Sequence, residues 1–245
     1  MISEQFVIGI DDTDAADVPG TGTLARALAA QVEREGFGAS LGVTRHQLWE
    51  SDKLTATDGN RCYALAIETD RDTLDVEDLV VDFVRARSVR GANPGIALLS
   101  RHSDMPHALA FGRRAQQELM KIEEAERYAA ESNVLVRGLG GSRSGMIGAL
   151  AAAGLRGGGK DGRYSDLRGI RELTGRVTAG EIRSRTALER ILNDEGEALD
   201  RDDPIDTLDW IRPRIEEGHP VLRLRRSAED RRVWVPIDRK PLGGD

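Results

Sequence analysis

The chain has 245 residues, of which 39% are hydrophobic and 31% charged, so it can bury the core of one large domain or two small ones. Its formal net charge of −7 argues against non-specific nucleic-acid binding. Its single cysteine, Cys62, excludes an internal disulfide framework and a zinc site built from paired cysteines. No signal-peptide pattern and no apolar stretch of membrane length occur, which predicts a cytoplasmic protein without a membrane partner.

The first predicted unit is a strand, an acidic turn, a loop and a helix. Residues 6–10 (FVIGI) have the pattern of a buried strand, which ends at the acidic residues 11–14 (DDTD). After a stretch of loop formers, apolar residues recur with helical spacing from Leu24, and Gly36 marks the end of the helix.

The middle of the chain alternates between strands and helices. We expect strands over 62–68 and 95–100, a helix over 77–87 and a long, mostly helical segment over 105–132. Elements of this size can form a small α+β sandwich within a larger domain.

A second strand–loop–helix unit follows, with the strand over 133–137 and a helix rich in small residues after a glycine-rich loop. A further helix is expected within 179–193, and residues 220–226 and 231–237 predict a β-hairpin. The whole pattern predicts a mixed α/β (α+β) fold.

Three carboxylates at the end of the first strand are the main chemical signal. Asp11, Asp12 and Asp14 repel one another, and a cation would relieve that repulsion. Magnesium prefers oxygen ligands and commonly binds one or two carboxylates together with substrate phosphates, and Thr13 lies between the aspartates. The alternative is that Asp11 and Asp14 only form local turns and cap the next segment.

Two glycine-rich loops precede helices and are candidate phosphate sites. In the first, Gly20 and Gly22 allow backbone amides to approach an anion, and Thr23 can contact phosphate or accept a phosphoryl group. Capping of the helix by Thr21 or Thr23 is the alternative.

The second loop spans 138–148 (GLGGSRSGMIG), and it is not a Walker A motif because no GKS or GKT follows. Arg143 is a candidate partner for a transferring phosphate. The candidate phosphate-binding residues are Gly141, Ser142, Gly145 and Gly148.

Polar residues flanking the middle strands are candidates for substrate binding. They are Arg45, His46, Asn60, Asn93 and Gly95. A single histidine such as His46 is more often structural, and Asn93-Pro94-Gly95 is also a typical turn. No histidine has metal-binding spacing to Cys62, so we predict no zinc site.

Six motifs in order resemble the archaeal tRNA-Ile2 agmatinylcytidine synthetase family, whose members use ATP to activate an anticodon cytidine and attach agmatine to it. These motifs are GIDDTD (9–14), GTGT (20–23), TRH (44–46), GN (59–60), NPGIAL (93–98) and SGMIGALAAAG (144–154). GIDDTD and MIGALAAAG are the most specific, and the resemblance extends from about residue 6 to 226.

The resemblance implies a kinase-like core that binds ATP and Mg²⁺, formed by residues 1–58 and 125–245, and a ferredoxin-like substrate domain over 59–124. The resemblance also implies that Asp11, Asp12 and Asp14 bind the metal ion and phosphate. Thr23 matches a threonine that becomes phosphorylated in the family. The NPG-type motif would lie in the domain that helps to bind the amine substrate.

Several departures from the family bear on the substrate. Gly22 stands in place of a cysteine, the segment RGGGKDGRY replaces an acidic and aromatic one, and the OB-type and zinc-ribbon domains that hold tRNA have no counterpart here. We therefore predict a Mg²⁺-dependent, ATP-using ligase or kinase-type enzyme acting on a small acceptor, with an amine co-substrate by analogy. A tRNA substrate held with a partner protein, a non-catalytic nucleotide-binding regulator and a homodimer stay open.

Overall fold

A computed structural model describes residues 3–14, 20–50, 60–208 and 210–237. The chain divides into two compact units, Met1–Ser165 and Asp166–Asp245. The predicted mixed α/β class is confirmed, because helices and strands alternate along the chain. In the described residues, no helix is long and apolar enough to cross a membrane.

Strand pairing joins residues on both sides of position 59 within the first unit. Residues 59–124 do not form a unit apart from residues 1–58, because strand β3 (Arg61–Thr69) pairs with both β1 (Glu4–Asp11) and β2 (Ala39–Gln47). Strand β2 was not predicted at all, and it is the element that joins the two regions. Its residues mix apolar and polar side chains around a register shift between Ser40 and Val43, which obscures the alternation expected of a strand.

The sheet of the first unit has the strand order β5-β4-β1-β3-β2, and the short strand β6 (Arg163–Asp166) lies next to β2. Strands β4 (Gly95–Leu99) and β5 (Leu135–Gly138) continue the sheet beyond β1, and all four pairings along this order are antiparallel. The path β1-α1-β2-β3-α2-β4 is a split β-α-β arrangement with β1 at its centre.

Helices cover both faces of this sheet. Helices α1 (Thr21–Arg34) and α2 (Thr73–Arg87) pack on one face, where a core cluster contains residues of β1, β3 and β4. Helices α3 (Met105–Ala115), α4 (Ile122–Ser132) and α5 (Gly145–Gly157) pack on the other face. The helical segment predicted over 105–132 is therefore two helices, and at the start of the second the Glu124 carboxylate accepts a hydrogen bond of 3.1 Å from the Lys121 backbone N–H.

The two faces of strand β1 pack against different helical layers. Its side chains alternate, so that Phe6, Ile8 and Ile10 belong to the core under α1 and α2, whereas Val7 belongs to the core under α5. A Cβ atom at Gly9 would overlap the carbonyl oxygen of Ala149, so this glycine allows α5 to lie directly on the strand.

The second unit is a small β-rich domain. It contains a 3₁₀ turn (Ile170–Glu172), helix α6 (Ala179–Arg185) and strands β7 (Arg176–Thr178), β8 (Arg190–Leu192), β9 (Pro204–Asp206), β10 (Arg214–Glu216), β11 (His219–Arg226) and β12 (Trp234–Pro236). Strand β11 pairs with β10 and β12 in antiparallel fashion and with β8 in parallel fashion. The predicted hairpin is confirmed as β11 and β12, and α6 lies within the range predicted for a helix.

Candidate functional site

Several element ends meet at one edge of the first unit's sheet. Asp11 at the end of β1 is paired with Gly95 at the start of β4, and Gly95 is paired with Gly138 at the end of β5. Helices α1 and α5 both begin at this edge, and a cleft of about 330 Å³ opens between them. We call it the acidic cleft because Asp11, Asp12 and Asp14 all line it.

The acidic cleft has a polar end and an apolar wall. The polar end consists of the three aspartates with Thr21 and Ser144. The apolar wall consists of Leu48, Tyr63, Leu119, Met120 and Ile147. This combination of a few convergent polar groups with an apolar surface is characteristic of small-molecule sites.

Asp14 is held by the first residue of α1. The Thr21 hydroxyl donates to Oδ1 of Asp14 at 2.8 Å. The same hydroxyl oxygen accepts from the backbone N–H of Thr13 at 3.3 Å and from the Thr13 hydroxyl at 3.0 Å. Thr13 is itself buried beneath the cleft and does not line it, so its role is to hold the acidic turn to α1.

Asp12 is held from the opposite helical layer. Its Oδ2 accepts a hydrogen bond of 2.9 Å from the hydroxyl of Ser144, the residue that precedes α5. Asp12 has a φ of 55°, in the left-handed region that few residues other than glycine adopt. The Asp12 conformation directs the chain out of β1 and into the acidic turn.

Asp11 points toward the first turns of α5. A Cβ atom at Gly148 would overlap its carboxylate, so the glycine gives the carboxylate its space. Burial, together with the negative charges of Asp12 and Asp14, holds the pKa of Asp11 well above its ordinary value. A cation in the cleft would oppose that effect.

The second glycine-rich loop is arranged mainly for close packing. The side-chain oxygen of Asn93 accepts from the Ser142 backbone N–H at 2.8 Å, and the Asn93 carbonyl accepts from the Gly145 N–H at 3.1 Å. Cβ atoms at Gly95 or Gly145 would overlap backbone atoms of the facing segment. Of the predicted phosphate residues in this loop, only Gly148 lines the cleft, whereas Gly141, Ser142 and Gly145 do not.

Arg143 does not reach the acidic cleft. It has a φ of 64° and its guanidinium pairs with Glu126 of α4 at 2.9 Å. It instead borders a separate groove beside strand β5. The arginine that does line the acidic cleft is Arg61, at the start of β3.

Thr23 also lies outside the acidic cleft. Its side chain is exposed on α1 and accepts a hydrogen bond of 2.9 Å from Arg26. Gly20 lines the cleft, and Gly22 is buried against the ring of Tyr63, where a Cβ atom would come within 2.6 Å of the ring. The threonine hydroxyl that faces the aspartates is that of Thr21.

The candidate substrate residues are scattered. Asn60 lines the cleft, and its side chain donates to the Trp49 carbonyl at 2.7 Å. Its neighbour in the GN motif, Gly59, lies outside the described residues. Arg45, Asn93 and Gly95 do not line the cleft.

His46 is buried, which fits the interpretation that this histidine has a structural role. Its Nδ1 lies 2.7 Å from Oδ1 of Asp161 and its Nε2 lies 2.9 Å from the Thr44 hydroxyl. Burial lowers the pKa of His46, although the Asp161 carboxylate acts in the opposite direction. Burial alone would raise the pKa of Asp161, but hydrogen bonds from His46 and Gln116 lower it overall.

Ser144, Tyr63 and the apolar wall were not among the site residues predicted from the sequence, although Ser144 lies in the predicted glycine-rich loop. Ser144 carried a weak signal, since it directly precedes a predicted helix. No sequence signal marked Tyr63 or Met120 as cleft residues, because an apolar residue in a strand or between helices has the same pattern in a core and in a cleft wall.

The described residues contain no group of three or more His, Cys, Asp or Glu side chains arranged to hold a metal ion by themselves. The three aspartates therefore share a cleft without forming a complete protein cage. Magnesium does not require such a cage, because it usually keeps waters and binds one or two carboxylates together with phosphate oxygens.

Comparison with known proteins identifies relatives that match about three fifths of the chain. No protein-family model matches the chain. The tRNA(Ile2) 2-agmatinylcytidine synthetase TiaS of Methanocorpusculum labreanum is 32% identical over 152 residues, which cover 60% of this chain and 34% of that enzyme. The predicted resemblance is confirmed. An uncharacterized protein of Methanocaldococcus jannaschii is 28% identical over 155 residues, which cover 62% of this chain and 50% of that protein.

Among solved structures, the TiaS–tRNA(Ile2)–ATP complex superposes with a TM-score of 0.55 and 26% identity, covering 62% of this chain and 36% of that one. The chain thus spans between about a third and a half of the length of the relatives it matches. The similarity supports the same fold over the matched part of the chain.

Proposed function

We propose that the chain binds ATP with Mg²⁺ in the acidic cleft and uses it in a ligase-type modification of tRNA. The observation that carries the proposal is the convergence of Asp11, Asp12 and Asp14 with the starts of α1 and α5 in one cleft. A relative of this chain has been solved as a complex with tRNA and ATP.

The donor set of the cleft fits a magnesium–nucleotide complex. The carboxylate oxygens of Asp12 and Asp14 are hard ligands, and among the described residues no thiolate or imidazole lines the cleft. When bound, magnesium neutralises phosphate charge during transfer. Asp11, whose pKa is raised by burial and like charges, would be stabilised in its ionised form by the same cation.

The rest of the cleft fits the remainder of a nucleotide. We place the base against the apolar wall near Tyr63 and Met120, and the phosphates toward the aspartates. Arg61 also lines the cleft and supplies a fixed positive charge for phosphate oxygens. An amine co-substrate, a small acceptor, a cytoplasmic location and a homodimer remain predictions of the sequence.

One observation favours a second candidate function, a nucleotide-binding regulator without catalysis. Thr23, the match to the phosphorylated threonine of the family, is exposed outside the cleft, and Arg143 pairs with Glu126. A protein of this kind would bind ATP and magnesium without turning ATP over.

Labelled ATP distinguishes these functions. The purified chain is incubated with γ-labelled ATP and Mg²⁺, with tRNA, with agmatine, with both or with neither, and an EDTA sample serves as the metal control. We expect ATP consumption that requires Mg²⁺ and tRNA and is lost in Asp12→Ala. Turnover with agmatine alone would instead indicate a small acceptor. ATP binding without turnover under every condition would favour the regulator, and no ATP binding would contradict both functions.

A further inference from the structure

We propose that Thr21 and Ser144 are positioning residues whose hydroxyls hold Asp14 and Asp12 in the orientation that binds magnesium–ATP. This inference rests on the proposed function, since it concerns the same cleft. It assigns a role to two hydroxyls that were not among the predicted phosphate or catalytic residues.

The Thr21 hydroxyl has its full complement of hydrogen bonds. It donates its single proton to Asp14 at 2.8 Å and accepts two hydrogen bonds from Thr13, one from the backbone and one from the side chain. A hydroxyl offers one donor and two acceptor sites, so all three are used. Thr21 is 5% exposed, and its hydroxyl is therefore a fixed support and not a mobile nucleophile.

Ser144 has an equivalent role on the opposite side of the cleft. It donates to Asp12 at 2.9 Å and lies within 3.0 Å of the Ser142 hydroxyl, which donates to it. Asp12 adopts a left-handed backbone conformation, and such conformations persist only where surrounding contacts hold them. The bond from Ser144 is one of these contacts.

The two hydroxyls attach the acidic turn to both helical layers. Thr21 begins α1 on one face of the sheet, and Ser144 directly precedes α5 on the other face. Each fixes one oxygen of one aspartate, so the relative position of the two carboxylates depends on the separation of two helix starts. Groups that orient metal-binding carboxylates in this way commonly change metal affinity by about 10- to 100-fold when they are removed.

The chain supplies a matched control two residues away. Thr21→Val removes the hydroxyl and preserves the shape, Thr21→Ser retains the hydroxyl, and Thr23→Val removes an exposed hydroxyl that lies outside the cleft. Titration calorimetry with ATP at a series of Mg²⁺ concentrations measures affinity and its dependence on the metal. Thermal unfolding of each variant without ligand measures any general loss of stability.

We expect Thr21→Val to weaken magnesium-dependent ATP binding by about 10- to 100-fold. We expect Thr21→Ser and Thr23→Val to bind as the wild type does, and Ser144→Ala to resemble Thr21→Val. A Thr21→Val variant with wild-type affinity and Mg²⁺ dependence would overturn the inference. A loss of affinity in proportion to lowered thermal stability, restored at lower temperature, would also overturn it, because the role would then be purely structural.

Hydrogen exchange separates this inference from the proposed function. In the protein without ligand, Thr21→Val should speed exchange of the Thr13 amide, which loses its acceptor, whereas Thr23→Val should not. If the wild type does not bind ATP, the proposed function fails and the ligand role of Thr21 fails with it. Unchanged exchange at Thr13 with intact ATP binding would refute only the positioning role.

Discussion

Both strand–loop–helix segments of the first unit have a glycine-rich loop before a helix, but the two loops differ in what they do. In the β1–α1 unit, the turn presents carboxylates to the cleft, and the first helical residue, Thr21, orients one of them. In the β5–α5 unit, Gly145 allows close backbone contact, Gly148 makes room for Asp11, and Arg143 turns away toward Glu126. The amide groups at the start of α5 already donate to the carbonyls of Asn93, Arg143 and Ser144.

The difference shows that a glycine-rich loop before a helix can have two physical causes. A glycine can let an anion approach the backbone, or it can let another segment of backbone approach. Both give the same sequence pattern. Only the surroundings of each glycine distinguish them, and here those surroundings indicate that the second loop mainly supports the first.

The largest expected effect tests which loop holds the nucleotide. Asp14→Ala removes a carboxylate from the cleft, so it should weaken magnesium-dependent ATP binding by at least about 100-fold, beyond the range for residues that only orient metal ligands. Arg143 lies outside the acidic cleft and forms only an exposed ion pair, so Arg143→Ala should change the ATP affinity by less than about fivefold, the equivalent of the roughly 1 kcal/mol that such a pair contributes at most. Calorimetric titration with ATP measures both. Equal losses in the two variants would show that the second loop also binds phosphate.

An intermediate effect tests the packing role of the second loop. In Gly148→Ala the added methyl would overlap the Asp11 carboxylate, so we expect a loss of about 1–3 kcal/mol in the free energy of unfolding. At this chain length each kcal/mol lowers the melting temperature by about 2–4 °C.

Gly140→Ala in the same loop is the matched control, because its nearest atoms would lie 3.5 Å from the new Cβ atom. It should be neutral or stabilising by about 0.4–1 kcal/mol. Thermal unfolding of both variants decides the matter. A Gly148→Ala variant of unchanged stability that has lost ATP binding would favour direct phosphate contact.

The smallest expected effect concerns the buried pair of His46 and Asp161. Because burial lowers the pKa of His46 below its ordinary value, the unfolded chain takes up a proton as the pH falls below about 6.5 before the folded protein does. The free energy of unfolding should therefore be highest above about pH 6.5. It should decrease toward lower pH by at most about 1.4 kcal/mol per pH unit until the folded-state pKa is reached.

Denaturant titrations between pH 5 and 8 measure this dependence, using His46→Gln and, as a control, His102→Gln at an exposed position. The His46→Gln variant should lose the component that His102→Gln retains. An identical pH dependence in the wild type and His46→Gln would mean that other groups cause it.

Elements with strong periodicity were predictable. The strand before the aspartates, the helix that follows it and the terminal hairpin all lie where their patterns indicated. Strand β2 was missed, and with it the pairing that joins residues 39–47 to 61–69. The aspartates were identified because three neighbouring carboxylates repel one another and a bound cation would relieve that repulsion. Tyr63 and Leu48 also line the cleft, but their side chains would equally suit a core.

Local mapping of nucleotide binding tests whether the acidic cleft is the ATP site. Amide hydrogen exchange is compared with ATP alone, with ATP and Mg²⁺, and without ligand. We predict Mg²⁺-dependent protection of residues 11–14 and 20–24, with weaker protection near Ser144 and none in the groove beside β5. Protection confined to 134–143 or to the second unit, or no protection at all, would contradict the assignment of the acidic cleft as the ATP site.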